Sequence, residues 1–175
     1  MAFSGPFERP RMFILGIDPG LQKTGWGIIR SEGQRLSFIA CGRVQTSPDE
    51  ILALRLAHIH RELSQIISQY KPHSAAVEET FVNKNAASAL KLGQARGVAL
   101  AAPALAGIEV SEYAANLIKK SVAGTGHAQK NQIGMMVKML LPSSKAASED
   151  EADALAVAIC HAHHARTKIR ILEAI

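Results

Sequence analysis

The sequence predicts a single α/β domain whose central five-stranded mixed sheet, a three-strand antiparallel meander plus parallel strands, is flanked by helices. Three observations carry that expectation. Three strand-like runs open the chain with only turn residues between them. Helical and strand-like segments then alternate. The 175 residues, 47% of them apolar, are enough to fill one core. Aromatic residues make up 5% of the chain, so that core is aliphatic and rich in alanine.

Taken in order, Met12–Asp18 is an apolar run of the buried kind, stopped by the turn pair Pro19-Gly20. Gly25–Arg30 and Leu36–Thr46 are the next two strands, joined by a turn at Ser31–Gln34 that contains Gly33. Ser47 and Asp49 are placed to cap a helix running to about Tyr70, with Leu52, Leu56, Ile59, Leu63 and Ile66 along one face. Lys71-Pro72 ends it. Ser74–Glu79 is a short strand, Asn85 to about Leu105 a second helix, and Gly107–Ser111 a fifth strand. Tyr113–Val122 and Ala128–Leu140 are helical, divided by Gly124 and Gly126. Pro142–Ser148 is a polar loop, and Glu149 opens a last helix reaching about Lys168. Residues 1–11, with Pro6 and Pro10, form a flexible extension without the apolar centre of a signal peptide. Residues 12–165 form the domain and 166–175 a basic tail.

The net charge of +5 permits a polyanionic partner. Two cysteines, Cys41 and Cys160, make no disulfide framework, which points to a reducing, cytoplasmic compartment. No stretch approaches the roughly 20 apolar residues of a membrane span.

Four acids stand out: Asp18, Glu78, Asp150 and Asp153. The first two end short apolar runs, where an isolated carboxylate is costly to desolvate. Asp150 and Asp153 open the last helix roughly 60° apart around its axis, so both can face one point. A divalent cation removes the desolvation cost, and oxygen ligands gathered from several elements suit Mg²⁺ or Mn²⁺. That pattern points to metal-dependent phosphoryl transfer. Each acid also has a plainer explanation. Asp18 before Pro-Gly fits a turn, and acids in a first helical turn favour the positive end of the dipole. Strand alternation sends Glu78 and Glu79 to opposite faces, so only one can join Asp18.

Leu15-Gly16-Ile17-Asp18-Pro19-Gly20, then Thr24-Gly25-Trp26-Gly27, resembles the opening of a RuvC-type Holliday-junction resolvase. Val77-Glu78-Glu79 with Phe81 and Lys84-Asn85 continues the likeness. Ser88-Ala89-Leu90-Lys91-Leu92-Gly93-Gln94-Ala95-Arg96-Gly97 is its most specific piece, and Asp150-Glu151-Ala152-Asp153-Ala154-Leu155-Ala156 completes it. The resemblance covers Met12 to His164. It implies a ribonuclease-H-like fold, a homodimer, and cutting of four-way DNA junctions with Mg²⁺, two ions per site. It selects Glu78 over Glu79. In some relatives a histidine replaces Asp150. It also implies a RuvA–RuvB branch-migration complex as partner.

With such ligands, two cations about 3.5–4 Å apart can bridge the scissile phosphate, one activating water and the other stabilising the leaving oxygen. Asp18, on a central strand, is the ligand expected to contact both. No covalent nucleophile is expected, since Ser47, Ser64 and Ser88 lack a His/Asp pattern. Lys84, Lys91, Arg96, Lys119, Lys120, Lys130 and Lys138 lie between the second and fourth acids and together offer phosphate contacts. The resemblance singles out Lys119 and Lys130 as DNA contacts near the acids. It marks Phe81 as an aromatic able to stack on an unpaired base; a loop Phe can equally fold inward.

Gly93, Gly97 and Ala101 form a small-residue stripe on the second helix. Helical Gly costs about 1 kcal/mol relative to Ala, which suggests close approach of another backbone. The stripe alone slightly favours the domain's own sheet; the resemblance favours a dimer contact. Cys160-His161-Ala162-His163-His164 hints at a metal site but has no matching ligands elsewhere. Two further classes fit parts of the chain. The Gly-Ile-Asp-Pro-Gly opening is similar to the first phosphate loop of actin-like and sugar-kinase ATPases, and a non-catalytic DNA-binding module shares the fold expectation. Retention of all four acids argues against the latter.

Overall fold

The apolar run Phe13–Ile17 forms the middle strand of a five-stranded sheet. The computed structural model describes residues 11–79 and 85–173. Within them the elements run β1 (Met12–Asp18), β2 (Lys23–Glu32), β3 (Arg35–Gln45), α1 (Leu52–Tyr70), β4 (Ser74–Glu79), α2 (Ala86–Leu105), β5 (Glu109–Ala114), α3 (Ala115–Ala123), α4 (Lys130–Leu140) and α5 (Glu149–Glu173). The sheet order is β3-β2-β1-β4-β5. β1, β2 and β3 pair antiparallel, whereas β4 pairs parallel with β1 and with β5. This is the expected α/β architecture.

Alternation along the strands divides the core in two. Leu15, Ile17, Ile28, Ala75 and Val77 pack beneath α1 and α2. Ile14, Ile29 and Ala76 pack with α3, α4 and α5. Leu15, Ile17, Leu155 and Ile159 are fully buried, each contributing roughly 1.5–3 kcal/mol. The face of β1 that carries Ile14 also carries Gly16 and Asp18, so Asp18 faces the α5 side.

Several boundaries differ from the sequence reading. α1 starts at Leu52, with Ile51 as its N-cap and no side-chain cap bond. Ser47 Oγ instead accepts from the Asp49 amide at 3.2 Å, a local turn ahead of the helix. The buried face of α1 includes Arg55, whose Nε donates to Thr46 Oγ1 at 2.9 Å, while Leu52 and Leu56 are only partly covered. β5 runs Glu109–Ala114 rather than 107–111, because Tyr113 and Ala114 find partners in Glu78 and Glu79. α5 continues to Glu173, past the expected end near Lys168, so the basic run from Arg166 to Arg170 is helical.

The Gly93/Gly97/Ala101 stripe does not pack on the sheet. A β-carbon on Gly93 or Gly97 would meet nothing within 4 Å. Ala95, Ala99 and Ala102 face the sheet instead and are buried. The expected extension over residues 1–10, and the loop holding Phe81 and Lys84, lie outside the described residues.

Candidate active site

Asp18 ends β1, and Glu78 occupies the next position on β4 after the Ile17–Val77 pair. Both face α5; Glu79 points the other way and is exposed. α5 reaches them because three strand glycines let it lie directly on the sheet. A β-carbon on Gly16 would come within 2.6 Å of the Ala158 amide nitrogen, and one on Gly27 within 2.7 Å of the Leu155 side chain. Gly25, the β2 partner of Asp18, abuts the backbone of Asp150. This seat brings the first turns of α5 to the end of β1. The helix start is capped: the Glu151 amide donates to Ser148 Oγ at 3.4 Å, and the Ala147 amide donates to the Glu151 carboxylate.

The result is an open cleft of about 270 Å³ lined by Asp18, Glu78, Asp153, Lys119 and Lys130, with Ile118 and Ile133 among its apolar walls. Asp150 lies beside this cleft rather than in its lining. Its charge still reaches Asp18 and Asp153. Glu149, at the helix start, accepts a hydrogen bond from Lys130 Nζ at 3.2 Å.

Crowding of carboxylates governs the electrostatics. Burial, then the charges of Glu78, Asp153 and Asp150, push Asp18 from 3.8 up to about 8, against the opposing pull of Lys130. Burial and then Asp153 push Glu78 from 4.5 up to about 7, with Lys119 and Lys130 opposing. Asp153 is also raised, mainly by burial. Lys130 is raised by its bond to Glu149 and by Asp153 and Asp18. Near neutral pH the two lysines leave the acids short of positive charge.

The donor set fits a hard divalent cation: every candidate ligand is a carboxylate oxygen, and the buried ones are undercompensated. Among the described residues no three acidic, His or Cys side chains converge tightly enough on one point to hold an ion as they stand. The histidines of 160–164 likewise form no metal group there.

Of the basic residues expected to contact phosphate, the fold brings Lys119 on α3 and Lys130 at the start of α4 to the acids. Lys120 projects elsewhere on α3 and is exposed, as are Lys91 on α2 and Lys138 on α4. Arg96 forms an ion pair with Glu112 of β5. The glycine seat was missed in the sequence. Its trace was there in Gly25-x-Gly27, two glycines on one face of a strand, where close approach of another backbone is the usual reason.

A family model described as crossover junction endodeoxyribonuclease RuvC matches residues 14–161. The RuvC of Methylocella silvestris is 63% identical over 155 residues, covering 89% of this chain and 88% of that protein. The RuvC of Rhodopseudomonas palustris (strain BisA53) is 60% identical over 159 residues, 91% of both chains. Among solved structures, Thermus thermophilus RuvC in complex with a Holliday-junction substrate superposes with a TM-score of 0.84 at 33% identity, covering 90% of this chain and 96% of that one. The yeast mitochondrial Holliday junction resolvase Ydc2 shares the fold, with a TM-score of 0.60 at 13% identity and coverage of 94% and 87%. The sheet order and these neighbours make the fold ribonuclease-H-like. A family model spanning β1 to α5, and relatives about 60% identical over nine-tenths of both chains, show that the chain belongs to the RuvC family of crossover junction endodeoxyribonucleases.

Proposed function

We propose that this cleft cuts phosphodiester bonds in four-way DNA junctions, in paired symmetrical nicks, during recombination and repair. The observation that carries the reading is Asp18: a carboxylate pushed up to about 8 by burial and three other acids, with Lys119 and Lys130 on the same cleft. An acid cluster without positive charge repels phosphate, so a cation is part of the working site. Asp18, Glu78, Asp153 and Asp150 would hold it, and Mg²⁺ or Mn²⁺ suits their oxygens. When two such ions are bound they supply an activated water and charge stabilisation at the leaving oxygen.

The chain's own residues supply the rest. Asp18 ends the middle strand, flanked by β2 and β4, and is half-buried, so its carboxylate is held in place. Lys119 and Lys130 offset phosphate charge entering the cleft. The walls of Ile118 and Ile133 limit water and strengthen these interactions. Lys84, Lys91, Arg96 and Lys120 are proposed as outer phosphate contacts, Arg96 after exchanging Glu112 for phosphate. Phe81 is proposed to stack on an unpaired base, a contact worth about 1–3 kcal/mol.

Paired nicks require two sites, and the open Gly93/Gly97/Ala101 face of α2, with Leu90 and Leu105 exposed beside it, suits a second copy of the chain. Family membership supports a RuvA–RuvB complex as partner. Among the described residues no helix is long and apolar enough to cross a membrane. Cys41 and Cys160 are free, in keeping with a reducing cytoplasm. Membership also sets aside the ATPase alternative.

The test is a synthetic four-way junction incubated with Mg²⁺ and mapped on all four strands. Nicks at symmetrical positions on two opposing strands are expected. Binding without cleavage in either Mg²⁺ or Mn²⁺ would leave a junction-binding module instead.

A further inference from the structure

α5 carries a second polar constellation, outside the lining of the cleft. His161 is only 7% exposed, and both its ring nitrogens are engaged. Nδ1 lies 2.9 Å from the Tyr113 hydroxyl on β5, and Nε2 lies 3.0 Å from the Ser74 hydroxyl on β4. Tyr113 meets the His161 ring edge-on at 5.8 Å and stacks on His164 at 5.3 Å. Ser121 of α3 lies 3.4 Å from His164 Nε2 and accepts from Cys160 Sγ at 3.3 Å. A neutral imidazole has one donor and one acceptor nitrogen, and either hydroxyl can play the complementary part. The ring is therefore fully satisfied between two strands.

The placement of these groups follows the acids. Ser74 and Glu78 lie on the same face of β4, four residues apart, about 13 Å along the strand. His161 and Asp153 lie on α5, eight residues apart, about 12 Å along the helix. β4 runs toward the cleft and α5 runs away from it. The bridge to Ser74 joins the two elements at one end, and the carboxylates of Glu78 and Asp153 meet the cleft at the other. Tyr113 closes the figure, because it is the β5 partner of Glu78 in register and its hydroxyl reaches His161.

The glycine seat governs how near α5 comes to the sheet, but its contacts to backbone and to the Leu155 side chain are not directional. Sliding the helix by one residue shifts its side chains about 1.5 Å along the axis and turns them about 100°. Hydrogen bonds with defined partners resist such a slide.

We propose that His161 is a positioning residue of the carboxylate site: its bonds to Ser74 and Tyr113 set the register of α5 on β4 and β5, and so the separation of Asp153 from Glu78. This inference rests on the metal-dependent reading of the cleft. It gives the His161 portion of the 160–164 segment a role without making it a ligand. Groups that hydrogen-bond metal ligands directly typically account for about 10–100-fold in metal affinity or activity, and His161 acts on the same separation from further out, through Ser74 and Tyr113.

Three variants test it on the full chain: His161→Phe, Ser74→Ala and Tyr113→Phe. Tyr113→Phe keeps the ring and its stack on His164, so it decides the matter if His161→Phe fails to fold. Mn²⁺ affinity is measured without DNA by the spin-resonance signal of the free ion, alongside junction affinity in EDTA, cleavage rate and melting temperature. The expected result is Mn²⁺ affinity weakened about tenfold or more, a cleavage rate lowered about 10–100-fold and partly restored by excess Mn²⁺, and junction affinity unchanged. Folded variants that melt earlier yet keep wild-type Mn²⁺ affinity and rate would reduce His161 to packing and overturn the proposal. Wild-type protein that neither binds Mn²⁺ nor cuts the junction would overturn the metal reading itself, an outcome distinct from the first.

Discussion

Gly16 and Ala158 meet backbone to backbone: the amide nitrogen of Ala158 lies 2.6 Å from where a β-carbon on Gly16 would stand. A methyl group there cannot be accommodated by rotating a flexible side chain, because its neighbours belong to the backbone of α5 and to Ala158 itself.

Gly16→Ala is therefore expected to destabilise the fold by about 1–3 kcal/mol through overpacking and to displace Asp153 from Asp18. Gly97→Ala on α2 has open space around it and is expected to stabilise the protomer by about 1 kcal/mol. If α2 faces a second copy, Gly97→Ala should also weaken that dimer. Thermal melts and sedimentation at several concentrations check both. A Gly16→Ala protein as stable and active as wild type would disprove the glycine seat.

Asp18→Asn is expected to stop cleavage while leaving junction affinity intact or tighter. Loss of a direct ligand should exceed the about 10–100-fold typical of losing a residue that only supports a ligand. Single-turnover cleavage and gel-shift binding on one preparation separate the two effects. Near-normal cutting by Asp18→Asn would remove Asp18 from the site.

The raised acids make a signed prediction about pH. Asp18 moves from 3.8 to about 8 and Glu78 from 4.5 to about 7. A group raised in the folded state binds protons there that the unfolded chain has released. Its contribution is complete below the unfolded value, near pH 4, and is lost as pH rises through 7 to 8. In EDTA the melting temperature should thus fall between about pH 5 and pH 8. Mg²⁺ should restore it, most strongly at the alkaline end, since protons and metal compete for the same oxygens. Asp18→Asn should remove much of that slope. A metal-free melting curve independent of pH over this range would count against a crowded cluster.

Lys119→Ala is expected to weaken junction binding and reduce its salt dependence by about one phosphate contact. Glu149→Gln should act in the opposite sense. Glu149 accepts from Lys130 at 3.2 Å, and both side chains are mostly exposed, so the pair itself adds little stability. Its removal frees Lys130 for phosphate without altering the fold. Binding isotherms across a salt series test both; equal slopes for wild type and Lys119→Ala would place Lys119 outside the DNA path.

What could be read from the sequence follows the range of the interactions. β1 and β4 match the expected bounds because local punctuation, Pro19-Gly20 and Lys71-Pro72, sets their limits. The acids at their ends were visible for the same reason. Tyr113 and Ala114 sit in an alanine-rich context that reads as helix, yet distant Glu78 and Glu79 draw them into the sheet. Ser47 and Asp49 look like caps, but Thr46 receives Arg55, Ser47 closes a local turn over Pro48–Glu50, and α1 begins only after an extended Ile51. The bonds of His161 depend on Ser74, 87 positions earlier in the chain, which no local pattern reveals.

The order of the elements along the chain has a consequence for synthesis. Asp18 lies on the first strand, whereas Asp150 and Asp153 lie on α5, whose Leu155, Val157 and Ile159 fill much of one half of the core. A ribosome-bound chain that ends before α5 has neither the second pair of carboxylates nor the packing that would hold the first pair in place. On the proposed assignment of the acids, the site is complete only with the last helix, after the sheet has been made. A chain truncated before α5 therefore holds only half of the proposed carboxylate cluster.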